Sequence, residues 1–289
     1  MSGLSGSPEP GTARAGSLDH DYLPGLGVPS VQPYFDEYAD RSAAARAALT
    51  WRALPYGADP AEQVHFFPAP GPDAPLVVFV HGGYWRVLDE WSSAYGAPGL
   101  VAAGAAFAAV GYPLAPRVSV RQITAAVRTA VRTLFDDAAD LGVDPGRVVL
   151  VGHSVGAQLA AMCLASPDPV PAVGAVLLSG LYELEPLRST SVGDEVSLSA
   201  ADVAECGPAR HLHAGLPPLV LARGSDEPAG FDVQQRLAAE RATALGVPVT
   251  ELVVPGRNHF DVVLGLGDAD DPVGSAVHAL AFGTRPNPA

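Results

Sequence analysis

The pentapeptide Gly152-His153-Ser154-Val155-Gly156 stands between an unbroken apolar run, Val148-Val149-Leu150-Val151, and the apolar stretch 157–165. The first reads as a buried strand and the second as a helix, so the serine falls on a sharp strand-to-helix turn. Glycine at 152 and 156 leaves room around that turn. Ser154 is then presented at a helix N-terminus, where backbone amides and the helix dipole stabilise negative charge. This is the setting of a serine nucleophile for acyl transfer. A serine that only caps a helix is the plainer alternative, and it leaves the strand and the two glycines without a purpose.

Acyl transfer also needs donors for the oxyanion. His81-Gly82-Gly83-Tyr84-Trp85 follows directly on the apolar run 76–80. With no Cβ in the way, the N–H groups of Gly82 and Gly83 can turn toward a carbonyl oxygen, and the amide of Val155 is the expected partner donor. His81 precedes the nucleophile and is read as a brace for this loop.

A nucleophile on such a turn belongs to the α/β-hydrolase fold, in which the chain order is serine, acid, histidine. Of eight histidines, only His211, His213, His259 and His278 follow Ser154. His259, in Pro255-Gly256-Arg257-Asn258-His259-Phe260, comes right after the last strong strand candidate and is the expected general base. His211 and His213 have a metal-like spacing, but no second cluster completes a site, and no metal is expected. His278, in the apolar run 277–282, reads as a packing residue. The acid is expected at Asp226, in Gly224-Ser225-Asp226-Glu227 after the run 219–223, with the adjacent Glu227 turned to solvent. Glu227 is the nearest competitor, and Glu183 a more distant one.

These residues need a scaffold. Short apolar runs at 64–69, 76–80, 106–112, 148–152, 175–179, 219–223 and 249–254 read as strands, and 120–141 and 232–245 carry apolar residues at helical spacing. Pro145-Gly146 and Gly246-Val247-Pro248 close those helical segments. Alternation of this kind predicts an α/β protein with a mostly parallel central sheet and helices on both faces. The Gly, Pro and Ser-rich stretch 1–30 reads as a flexible leader, 31–289 as a single catalytic domain, and the Ala/Arg-rich part of 33–53 as a helix that caps it. No repeat or heptad pattern persists.

Composition narrows the chemistry further. The chain of 289 residues is 48% hydrophobic, enough for one large core, and carries a net charge of −14 with scattered cations, which excludes a phosphate-backbone surface. All 17 basic residues are Arg, so a P-loop lysine, a Schiff-base lysine and a Ser-Lys dyad are excluded. Cys163 and Cys206 suit two reduced, buried thiols. No secretory signal or membrane-length apolar run is recognised, and a cytoplasmic location is expected. The expected partner is a small-molecule substrate, with no nucleic acid, no membrane and no cofactor; a homodimer is compatible with the sequence.

Several segments together resemble the kynurenine formamidase (arylformamidase) group of the α/β-hydrolase fold: His-Gly-Gly-Tyr-Trp at 81–85, Gly-Tyr-Pro-Leu-Ala-Pro at 111–116, Gly-His-Ser-Val-Gly-Ala at 152–157, Ser-Gly-Leu-Tyr-Glu-Leu-Glu-Pro at 179–186 and Asn-His-Phe-Asp at 258–261. The similarity spans roughly 34–263, with Val155 standing where the group is expected to have Ala. The resemblance implies a Ser154, Asp226, His259 triad without metal, and hydrolysis of N-formylkynurenine to kynurenine and formate, a step of tryptophan catabolism. Tyr84, Trp85, Tyr182 and Phe260 are candidates to flank the substrate ring, with an ordinary core-packing role as the alternative for each. The competing readings are a carboxylesterase or biosynthetic acyl-transfer hydrolase with the same triad, and a catalytically silent binding protein on the same fold.

Overall fold

In the computed structural model, residues 18–283 are described. In chain order the elements are α1 (Asp19–Tyr22), α2 (Gln32–Ala48), β1 (Arg52–Pro55), β2 (Gln63–Phe67), β3 (Ala74–Val80), α3 (Ala97–Ala102), β4 (Ala106–Val110), α4 (Val120–Asp136), α5 (Ala138–Leu141), β5 (Val143–His153), α6 (Val155–Ala165), β6 (Gly174–Leu178), α7 (Ser191–Glu195), α8 (Ala200–Cys206), β7 (Leu219–Gly224), α9 (Ala229–Ala244), β8 (Val249–Val254) and α10 (Pro272–Phe282).

Among the described residues the strands form an eight-stranded sheet in the order β1-β2-β4-β3-β5-β6-β7-β8. β1 and β2 are antiparallel to their neighbours, and the strands from β4 to β8 run parallel. The central strands are apolar throughout because both faces are covered. In β3, Leu76, Val78 and Val80 join the core on one face, and Val77 and Phe79 the core on the other. The first core is closed by α4, α6 and α9, and the second by α2, α3 and α10. In α4, Ser119 forms a capping box with Gln122, and Val120, Ile123, Val127, Val131 and Leu134 bury the stripe read from the sequence.

Three local differences from the sequence reading have physical causes. β1, Arg52–Pro55, is a short and largely exposed edge strand with no alternating apolar pattern to announce it. β5 starts at Val143 and runs through Pro145 and Gly146, which the sequence reading took as a stop; the β3–β5 register shifts between Ala74 and Leu76 beside them. Finally, residues 18–30 are structured where a flexible leader was expected. A few specific anchors suffice: Asp19 and Tyr22 are buried, the Asp19 carboxylate accepts from the Ser191 amide at 2.8 Å, and the Tyr84 hydroxyl donates to the Tyr22 carbonyl. The leader residues 1–17 lie outside the described residues.

Candidate active site

Parallel strands deliver the loops after β3, β5, β6, β7 and β8 to one edge of the sheet, where sites of open α/β sheets form. At that edge Ser154 lies between β5 and α6 with φ 58° and ψ −124°. A non-glycine residue held there stores about 1–3 kcal/mol of strain. Its neighbours hold it in place: the Ser154 amide donates to the Leu178 carbonyl at 2.8 Å, and the Ser154 carbonyl accepts from Ala157 at 3.0 Å. Gly156 has to be glycine, since a Cβ there would lie 2.1 Å from the Val80 carbonyl oxygen. The amide of Val155, in the first turn of α6, has no intrahelical acceptor.

The loop after β3 folds back over Ser154. A Cβ on Gly82 would stand 3.0 Å from both the Ser154 Cβ and the His153 carbonyl oxygen, so a side chain here would make its neighbours give way, and glycine spares them that. Gly83, Tyr84 and Trp85 follow at positive φ, 97°, 50° and 62°. Two anchors hold this strained turn. The Trp85 indole donates to Gln158 at 3.0 Å, and the Trp85 carbonyl accepts from Ala115 at 2.8 Å. His81 sits behind the loop, stacked on Tyr112 with ring centres 4.1 Å apart, while the Tyr112 hydroxyl donates to the His81 carbonyl at 2.8 Å. Burial pulls the His81 imidazole down to about 4, so it stays neutral near pH 7.

His259 arrives on the loop after β8, with its Nδ1 2.8 Å from the Glu227 carboxylate. The other Glu227 oxygen accepts from the Ser179 hydroxyl at 2.6 Å and the Gly224 amide at 2.7 Å. Burial alone would raise the Glu227 carboxyl. The charge of His259 and the hydrogen bonds from His259, Ser179 and Gly224 outweigh it and hold the group below its ordinary range. An ionised Glu227 only accepts, so Nδ1 of His259 carries the proton and Nε2 is left free to take one. His153 packs beside it, its Nε2 2.8 Å from the His259 carbonyl oxygen. Burial, then the charge of His259, lowers His153 to about 3, so it braces the loop as a neutral donor.

The acid position therefore differs from the sequence expectation. Asp226 is exposed: its amide is tied to the Arg257 carbonyl at 2.9 Å, and its carboxylate accepts from the Ser225 hydroxyl at 2.7 Å. That turn points Asp226 outward and Glu227 inward. Glu183 pairs with Arg210 at 3.1 Å. Ser179, the donor that fixes Glu227, went unrecognised in the sequence; its one local signal was a polar residue ending an otherwise apolar strand. His211 lies 3.0 Å from the Ala204 carbonyl oxygen, and the His213 ring accepts from the Gly215 amide at 3.2 Å.

Ser154, His259 and Gly83 open into a cavity of about 390 Å³. Its walls come from Leu23, Pro24, Leu26, Phe35, Val87, Leu88 and Val192, and Tyr84 and Phe260 line it as expected of substrate-flanking aromatics. Trp85 and Tyr182 do not line it. Trp85 is fully buried against α6, and Tyr182 packs beneath Gly180 with its amide bonded to Gln234 at 2.8 Å, so both are core residues. Among the described residues no helix is long and apolar enough to cross a membrane.

Residues 77–262 match the family model described as alpha/beta hydrolase fold. A kynurenine formamidase of Danio rerio is 31% identical over 228 residues, covering 74% of this chain and 76% of that protein. One of Salmo salar is 30% identical over 237 residues, covering 77% and 79%. A crystal structure from Silicibacter sp., of a protein assigned as a thioesterase, superimposes with a TM-score of 0.79 at 27% identity, covering 89% of this chain and 97% of that one. The chain belongs to the α/β-hydrolase fold family and, within it, to the family of the kynurenine formamidases.

Proposed function

We propose that this protein is a cytoplasmic arylformamidase that hydrolyses N-formylkynurenine, or a related N-formyl arylamine, through a formyl-serine intermediate on Ser154. The observation that carries the reading is the cavity itself. It opens on Ser154 and on His259, whose Nδ1 is held by the buried Glu227 carboxylate, and an apolar wall suits an aromatic amine. Ser154 attacks the formyl carbon and gives its proton to Nε2 of His259, while the amides of Gly82, Gly83 and Val155 take up the oxyanion. Collapse breaks the C–N bond, and the imidazolium returns the proton to the departing arylamine. Neutral His259 then draws a proton from water as it attacks the formyl ester, and the imidazolium returns that proton to Ser154 Oγ as the ester C–O bond breaks and formate leaves. Glu227 keeps the imidazole in the working tautomer and steadies its charged form.

The experiment compares kcat/KM for N-formylkynurenine with that for short p-nitrophenyl esters, alongside labelling by a fluorophosphonate. Expected are efficient formamide turnover and labelling that is lost in Ser154→Ala. Ester turnover far above formamide turnover would make the protein a carboxylesterase, and an unlabelled wild type would make it a silent binding protein.

A further inference from the structure

The cavity wall is largely apolar, with polar side chains at Ser30, Gln32 and Ser191 and at the Ser154–His259 corner. Among the described residues the Asp, Glu and Arg side chains lining it are Arg86 and Glu195, which form an ion pair with each other. Arg86 lies just past the glycine loop, its amide bonded to the Gly83 carbonyl at 3.0 Å, so its backbone is fixed to the segment proposed to carry the oxyanion donors. Glu195 ends α7, whose Ser191 and Val192 also line the cavity. The Arg86 side chain is 24% exposed and that of Glu195 is 47% exposed, so both are within reach of solvent and of a ligand in the cavity. A half-exposed pair of this kind is weakly held and opens readily when each member is offered a better partner.

We propose that Arg86 and Glu195 read the charged head of an α-amino acid substrate, Arg86 taking the carboxylate through its planar fork and Glu195 the ammonium. The inference rests on the formamidase reading of the site. The side chain of N-formylkynurenine carries both charges on one carbon, at the tip of the acyl chain ortho to the formamide, and a cation and an anion already adjacent in the cavity wall match that head with no net charge left over. As a pair each member neutralises the other; in the complex the substrate separates them and satisfies both. The pair thus selects zwitterions over singly charged or neutral formanilides without touching the reacting carbon.

The test measures kcat/KM for four substrates: N-formylkynurenine, its desamino analogue with the carboxylate alone, N-formylkynuramine with the ammonium alone, and 2-formamidoacetophenone with neither. Each value is divided by that for the neutral compound. Arg86→Met is expected to lower the ratios for N-formylkynurenine and the desamino analogue by about tenfold to a hundredfold, mainly through KM, and not the ratio for N-formylkynuramine. Glu195→Gln is expected to lower the ratios for N-formylkynurenine and N-formylkynuramine and to spare the desamino analogue. Arg86→Lys, which keeps the charge, is expected to recover part of the loss, as a variant that merely disturbs the loop would not. Ratios unmoved in either single variant, or a wild type that handles the neutral compound as well as N-formylkynurenine, overturn the proposal and leave the formamidase intact. A wild type that hydrolyses none of the four overturns both.

Discussion

Replacing Glu227 by Gln separates the two adjacent acids more sharply than any other change. The buried side chain meets donors at one oxygen, the Ser179 hydroxyl and the Gly224 amide, and His259 at the other. A Gln amide has one oxygen to offer. If it faces Gly224 and Ser179, its NH2 faces Nδ1 of His259, which must then give up its proton and carry it on Nε2 instead. That tautomer cannot accept from Ser154. If the amide turns over, its NH2 opposes the Gly224 N–H, leaving a buried donor unpaired at a cost of about 1–3 kcal/mol. The lower-energy arrangement is thus the inactive one, and the expected fall in kcat is on the order of 10⁴-fold, the scale seen when a triad carboxylate becomes an amide. At 1.36 kcal/mol per decade this is about 5.4 kcal/mol of lost transition-state stabilisation. Asp226→Asn alters only an exposed carboxylate that accepts from Ser225 and is expected to stay within about threefold of wild type. Steady-state kinetics on N-formylkynurenine, with circular dichroism to verify folding, decides between them. A folded Asp226→Asn that loses activity while Glu227→Gln keeps it would refute the assignment.

Two further outcomes follow from the same geometry. Gly82→Ala places a methyl 3.0 Å from the Ser154 Cβ, so the loop proposed to hold the oxyanion or Ser154 itself must give way slightly; kcat is expected to fall by about 10-fold to 10²-fold with KM nearly constant, and an unchanged kcat would mean that this amide does not serve the oxyanion. Ser179→Ala removes one of the bonds that hold Glu227 ionised. Because the folded-state pKa lies below its ordinary 4.5, the stabilisation is present above that value and lost as pH falls through the folded-state value. The variant is expected to be less stable than wild type by about 1.5–3 kcal/mol near neutrality, the range for a hydrogen bond to a charged group. The gap should close in strong acid, and thermal melts across that range would show a constant gap if Glu227 were not the group involved.

Much of this arrangement was legible in the chain. The parallel core was written in continuous apolar runs, because a strand buried on both faces, as β3 and β6 are, tolerates little else, and the half-exposed edge strand β8 also falls on the residues read for it. Ser154 was announced by a strand, a pair of glycines and a helix that few other structures need together, and His259 by its place after the final strand. The acid was harder. Asp226 and Glu227 are neighbours of the same charge, and what separates them is the bond from the Asp226 amide to Arg257, a contact with a loop far along the chain. Ser179 reaches Glu227 across the ends of two neighbouring strands, and no local pattern encodes that meeting. Trp85 and Tyr182 looked like substrate contacts because they stand beside functional motifs. Their side chains turn back into the core, as large apolar groups do when packing offers more than solvent. Residues 18–30 read as a leader because they are poor in apolar surface, yet a handful of contacts orders them.

The division of labour in the cavity has a consequence for how such a protein changes over time. The groups proposed for bond-breaking stand on loops at the ends of sheet strands, whereas most of the wall comes from 23–35 and 191–195, stretches that contribute no strand. Substitutions in those stretches can resize or recharge the chamber while the sheet, the strained serine and the Glu227–His259 bond stay as they are. Descendants of one ancestor could therefore acquire new substrates by drift in the wall alone, and a designer seeking a different amine has the same surface to work on.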